Sequence, residues 1–149
     1  MKVFISNAQV GGGGNCEDMA GGLNLALNYK WKGRSRFALL IADTPCHGIQ
    51  YHEVPNFDSH PQGDPRYDVV EIIKNYARKN INLVCLNITQ LTVKLYNNFV
   101  DYYQKGRKNN NTANIYVDIL GSETQKLAEM IVNNAKKFYE KRHETEPIF

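Results

Sequence analysis

The chain predicts one α/β domain of 149 residues, a doubly wound and mostly parallel sheet with helices on both faces. Three observations carry that expectation. Residues 37–42, FALLIA, form a continuous apolar run, the signature of a strand covered on both faces. Strand-like and helix-like segments alternate along the chain, which favours parallel pairing through helical crossovers. The clearest helix, expected over 65–79, places Val69, Ile72, Ile73, Tyr76 and Ala77 on one stripe behind Asp64 and Pro65.

The elements follow in order. Residues 3–5, extending toward 10, read as a strand that ends in the glycine run 11–14. A helix over 16–29 has Asn15 as its cap, Glu17 and Asp18 in its first turn, and Met19, Leu23, Ala26 and Leu27 at helical spacing. Gly21 and Gly22 cost helix propensity there, and close packing on the sheet is the expected compensation. The strand 36–42 leads into a long loop, 43–64, that holds Pro45, Pro55 and Pro61; loops of this length are usually functional. A strand over 81–88 follows the 65–79 helix after the single connecting residue Asn80. Thr89 caps a helix to about 105 with Leu91, Leu95, Phe99 and Tyr102 or Tyr103 inward, and Gly106 terminates it. A polar loop over 107–113 precedes the strand 115–120. Ser122 and Gln125 then make a capping-box pattern that opens a final helix to about 142, with Leu127, Ile131, Ala135 and Phe138 as its apolar face.

Composition narrows the function classes. A formal charge of +3, with basic residues scattered among acids, gives no footprint for nucleic acid. The clusters at Lys30, Lys32, Arg34 and Arg36 and at Lys105, Arg107 and Lys108 fall near expected helix ends, where cations offset the helix dipole. No apolar stretch reaches the length of a membrane span, and the first residues are too polar for a signal peptide. Three cysteines at wide spacing, Cys16, Cys46 and Cys85, fit reduced thiols and a cytoplasmic location.

Chemistry concentrates where the 37–42 strand delivers Asp43 to the turn Thr44, Pro45, Cys46, His47, Gly48. In open α/β sheets ligands bind beyond the carboxyl ends of the strands, so this turn is the leading site candidate. Two other chemistries compete for it. Cys46 beside His47 suggests a hydrolase or transferase nucleophile, although sequence neighbours are seldom oriented as a dyad. Zinc could draw on Cys46, His47, His52, Asp58, His60 and Asp64, whose spacing matches no standard structural-zinc pattern. The glycine run 11–14 lacks a following Lys-Ser or Lys-Thr, and Glu17 and Asp18 sit where phosphates would lie, so a nucleotide loop is disfavoured.

Taken together, 11–27 (GGGGNCEDMAGGLNLAL), 37–52 (FALLIADTPCHGIQYH) and 58–65 (DSHPQGDP) resemble the von Willebrand factor A domain. The likeness is to the branch found with α-type protein kinases of amoebae and ciliates and in hemicentin-like proteins. It implies a Rossmann-like sheet with a metal-ion-dependent adhesion site, a Mg²⁺ or Ca²⁺ cage, at the carboxyl edge. Carried onto this chain, Asp43 is the surviving metal ligand, Glu17 and Asp18 are its acidic neighbours, and Thr44, Cys46 and His47 line the rim. The family's Asp-x-Ser-x-Ser triplet and its first strands have no counterpart here. The resemblance therefore implies a partial domain over 1–149 with an incomplete metal site, and an open sheet edge beside the 37–42 strand. The expected function is a non-enzymatic protein-interaction module. Its partner would contact the carboxyl edge, and the missing amino-terminal part of the same domain is a second expected partner. Any kinase activity would reside outside this chain, which has no kinase glycine loop, catalytic loop or Asp-Phe-Gly segment.

Overall fold

A computed structural model describes residues 16–33, 35–53, 58–121 and 124–143. The expected strand over 3–5, the glycine run 11–14, Asn15 and the Ser122 cap lie outside them. Three strands, β1 (Phe37–Ala42), β2 (Asn82–Asn87) and β3 (Ile115–Ile119), form a parallel sheet in the order β1-β2-β3. Phe37 pairs with Asn82 and Leu83 with Ile115, and the registers run without a bulge. β2 is central and buried at every position, whereas β1 is an edge strand among the described residues, with Phe37 and Ile41 exposed.

Among the described residues, four helices cover the sheet: α1 (Met19–Leu27), α2 (Val69–Arg78), α3 (Val93–Gly106) and α4 (Leu127–His143). Alternation along the strands assigns the faces. Ala38, Leu40, Leu83, Cys85 and Ile115 join α1, α2 and α3 in the main core. Leu39, Val84 and Leu86 point the other way and meet Leu127 and Met130 of α4. The helices therefore lie on both faces, as expected. Ile73 and Phe99 are wholly buried at the centre of the main core, each contributing roughly 1.5–3 kcal/mol of hydrophobic stabilisation. Tyr76, Tyr96 and Tyr103 are buried too, and their hydroxyls donate to the carbonyls of Leu23 (2.8 Å), Leu86 (3.2 Å) and Ile81 (2.8 Å). Each polar tip thus has a partner, which removes the penalty of burying it.

Several local expectations are corrected. α1 starts at Met19, not at residue 16, because Asp18 is its cap and accepts from Gly21 N at 2.9 Å. Gly22 is exposed with open space around it, and a side chain at Gly21 would strike the Asp18 carboxylate, so neither glycine serves packing on the sheet. α2 begins four residues after Pro65. Asp64 instead closes a turn by accepting from Arg66 N at 2.8 Å, and Asp68 caps the helix through Glu71 N at 3.1 Å. Thr89 caps only the 3-10 turn Gln90–Thr92, which carries Leu91 out to solvent, and α3 follows. Gly106 is still helical and is buried against α2: a Cβ there would lie 2.6 Å from Lys74 Cα. It permits a close helix approach, so its role is not termination.

α2 closes with a Schellman motif. Asn80 takes φ 55°, its N–H bonds Ala77 O at 2.9 Å, and Ile81 N bonds Tyr76 O at 2.9 Å. The Asn80 side chain then accepts from the amides of Thr112 (3.1 Å) and Ala113 (2.8 Å), which sets the approach to β3.

Candidate functional site

The carboxyl ends of the three strands lie on one side of the sheet, and the loop after β1 is folded over that edge by identifiable contacts. Glu17 and Cys46 form an isolated parallel bridge, with Glu17 N donating to Pro45 O at 3.1 Å. That bridge draws the segment before α1 onto the loop. The 3-10 turn Ile49–Tyr51 is clamped to α3: Asn98 donates to Gln50 O at 3.0 Å and Lys94 to His52 O at 2.9 Å. Tyr51 is buried and meets Phe99 edge-on, with ring centroids 6.2 Å apart.

Asp58 is the hub of this loop. Its side chain is 1% exposed. Its Oδ1 accepts from His47 Nδ1 at 2.6 Å and His60 N at 2.8 Å, while Oδ2 accepts from Gly48 N at 2.6 Å and lies 3.3 Å from His52 Nε2. Gly48 can aim its amide there because it holds φ 122°, a conformation that side chains resist. Burial works against the charged carboxylate, but the Gly48 amide, His47, the His60 amide and His52 outweigh it. The carboxyl is therefore held well below its usual range. Close by, the hydrogen-bonded Arg66 guanidinium holds Asp64 at about 2, and Arg66 also reaches Asp18 at 2.9 Å.

The residues expected to bind Mg²⁺ or Ca²⁺ are placed differently. Asp43 is exposed at the end of β1, and its carbonyl accepts from the Thr89 hydroxyl, which ties the loops after β1 and β2 together. Asp18 is engaged by Gly21 N and Arg66, and Glu17 is exposed. Among the described residues, the His, Cys, Asp and Glu groups whose ligand atoms lie within 4.8 Å of one another are Cys16, His52, Asp58 and His47, Asp58, His60. Asp43, Asp18 and Glu17 belong to neither group. Of the rim residues, Thr44 has a buried hydroxyl oxygen with no hydrogen-bond partner among the described residues, and His47 is turned to Asp58.

Cys46 is 1% exposed. Burial first, then the neighbouring Cys16 thiol, pushes its own thiol far above the ordinary range. A thiol held protonated inside the core is a poor nucleophile. Of the residues considered for zinc, the fold gathers His47, His52, Asp58 and His60 but commits Asp64 to Arg66. It adds Cys16, which sequence reasoning missed because Cys16 lies outside the loop and is brought to it by tertiary contacts such as the Glu17–Cys46 bridge.

Two surface features flank this edge. A polar hollow is lined by His47, Tyr51, Asp64, Arg66, Tyr67 and Val70. A groove runs between His52 and Glu53 on one side and Leu91, Val93 and Lys94 on the other. Leu91 and Val93 are exposed, as is Ile49 on the adjoining turn. Among the described residues no helix is long and apolar enough to cross a membrane.

No protein-family model matches the chain, and no solved structure matches it. Among known proteins it is similar to the alpha-protein kinase vwkA of Dictyostelium discoideum, at 32% identity over 139 residues. That alignment takes in 86% of this chain and 20% of the kinase, so the chain spans about a fifth of the length of the relative it matches.

Proposed function

We propose that this chain is a non-enzymatic protein-interaction module of von Willebrand A type, acting in the cytoplasm through the carboxyl edge of its sheet. The observation that carries the reading is the groove beside β2. Leu91 of the 3-10 turn and Val93 at the start of α3 expose apolar surface there, next to Lys94 and Glu53, and Thr89 just before them ties this segment to Asp43. Apolar side chains gathered in one groove with charges at its rim suit a protein surface better than a small polar substrate. Asp43, with Glu17 and Asp18 as its acidic neighbours in the site and Thr44, Cys46 and His47 as rim, is the remnant of a Mg²⁺ or Ca²⁺ site. Its other ligands would come from the partner. Likeness to a segment of an alpha-protein kinase supports a role within a larger polypeptide whose phosphoryl transfer belongs to another domain.

The test pairs two measurements on the 149-residue chain. Purified chain with ATP and Mg²⁺ should transfer no phosphate to itself or to a generic acceptor. In cells, a partner captured by the wild type should be lost with L91D or D43R and kept with K108E, which alters an exposed residue beyond the other end of the sheet. Phosphoryl transfer by the chain, or capture indifferent to both carboxyl-edge variants, would overturn the proposal.

A further inference from the structure

The cluster around Asp58 contains a feature that its hydrogen bonds do not use. Cys16 is 5% exposed and His52 6%. The Cys16 sulfur, a His52 ring nitrogen and an Asp58 oxygen all lie within 4.8 Å of one another. A sulfur adds little to a hydrogen-bonded cluster. The separation of 3.3 Å between His52 Nε2 and Asp58 Oδ2 is long for a charge-assisted bond. It does match the roughly 3.3 Å between two donors placed about 2.0 Å from a common tetrahedral ion.

We propose that Cys16, His52 and Asp58 form a zinc site, with a fourth position open to water or to a partner's side chain. The donor chemistry selects the metal. Thiolate, imidazole and carboxylate together suit Zn²⁺, whereas Mg²⁺ and Ca²⁺ call for oxygen alone. Charge agrees with this choice: one thiolate and one carboxylate neutralise a divalent ion, so the buried site carries no net charge. On binding, the Cys16 S–H gives its proton to solvent and the sulfur forms the Zn–S bond, with no change of oxidation state. His47 Nδ1 and the His60 amide hold Asp58 Oδ1, and the Gly48 amide takes one lone pair of Oδ2, so the carboxylate is oriented from behind and the second lone pair of Oδ2, beside His52, is the one a metal would use. The ion would join three segments that no regular element connects: the turn before α1, the end of the 3-10 turn and the loop at residue 58. None of its three ligands belongs to the Asp43 remnant, although His47 borders both, and the inference does not depend on the interaction reading.

The test uses the full chain, stripped of metal with a chelator under reducing conditions, and titrated with Co²⁺ and then Zn²⁺. The expected result is one equivalent of Co²⁺ giving intense visible bands of tetrahedral coordination and a near-ultraviolet thiolate charge-transfer band. Stoichiometric Zn²⁺ should erase both, and a large excess of Mg²⁺ should leave both in place. C16S should lose the charge-transfer band, H52Q should weaken affinity at least tenfold, and C46S should keep the band. A second readout needs no variant: Zn²⁺ should slow alkylation of Cys16, mapped by mass spectrometry, in the wild-type chain. Absence of saturable Co²⁺ binding, a band that survives C16S, or Cys16 alkylation unaffected by Zn²⁺ would each overturn the site.

Discussion

Replacing Asp58 with Asn removes the charge from the hub of the carboxyl-edge loop while keeping its shape. The wild-type carboxylate accepts three short bonds, from Gly48 N and His47 Nδ1 at 2.6 Å and from His60 N at 2.8 Å. An amide can serve only some of these. The least costly orientation keeps its oxygen on buried Gly48, turns its nitrogen to His47 in the accepting tautomer, and releases His60 N–H to solvent, since His60 is exposed. Two bonds then fall from charge-assisted to neutral, at about 1 kcal/mol each, and one is exchanged for water at about 0.5 kcal/mol, for a loss of roughly 2–3 kcal/mol. With a urea slope of about 1–3 kcal/mol per M, the unfolding midpoint should drop by roughly 0.7–3 M at pH 7. Chelator should be present so that bound metal does not contribute. The pH dependence fixes the cause. A carboxyl held below its unfolded value, about 3.9 for Asp, stabilises fully above that value, and the benefit is lost as pH falls through the folded value. The gap between wild type and D58N should therefore shrink below pH 4. A difference under about 0.5 kcal/mol at pH 7, or one that stays constant down to pH 3, would refute the hub.

Substitutions at three further positions test the scaffold. Gly106→Ala should destabilise by about 1–2 kcal/mol, because the Lys74 backbone must move by several tenths of an ångström and overpacking outweighs the gain in helix propensity of up to about 1 kcal/mol. A stabilised variant would show that Gly106 only ends the helix. Asn80→Ala should cost about 2 kcal/mol in thermal or urea unfolding, and Asn80→Gly about half as much, because glycine keeps the left-handed turn but loses the bonds to Thr112 and Ala113; equal costs would contradict this division. Ile41→Lys on the exposed side of β1 should raise the concentration at which light scattering reports self-association, with stability changed by less than about 0.5 kcal/mol.

The sheet and most helices were legible because their signals are local. FALLIA and NLVCLN are apolar runs of strand length, and the stripe from Val69 to Ala77 has helical period, so β1, β2 and α2 required no tertiary information. Helix starts were less legible where two acids compete. Asp64 before Pro65 looks like a cap, yet its side chain finds Arg66 two residues on, and the turn it makes delays the helix until Asp68. Gly106 resembled a stop signal because sequence gives no sign of the α2 backbone pressed against it. The candidate site was half legible. His47, His52, Asp58 and His60 share one loop and stood out together, whereas Cys16 reaches them through tertiary contacts such as the bridge between Glu17 and Cys46, 29 residues apart. Asp43 was the natural focus at a strand end, but the fold converges its densest polar contacts on Asp58 instead.

A hydrogen-exchange difference map, recorded on the chain with and without a partner captured through it, tests the functional account most directly. The account predicts slowed exchange confined to the carboxyl edge, over residues 43–53, 58–68 and 88–94, with α4 and the 107–114 loop unchanged. Protection centred on α4 or on the 107–114 loop, with the carboxyl edge exchanging at its free rate, would contradict it.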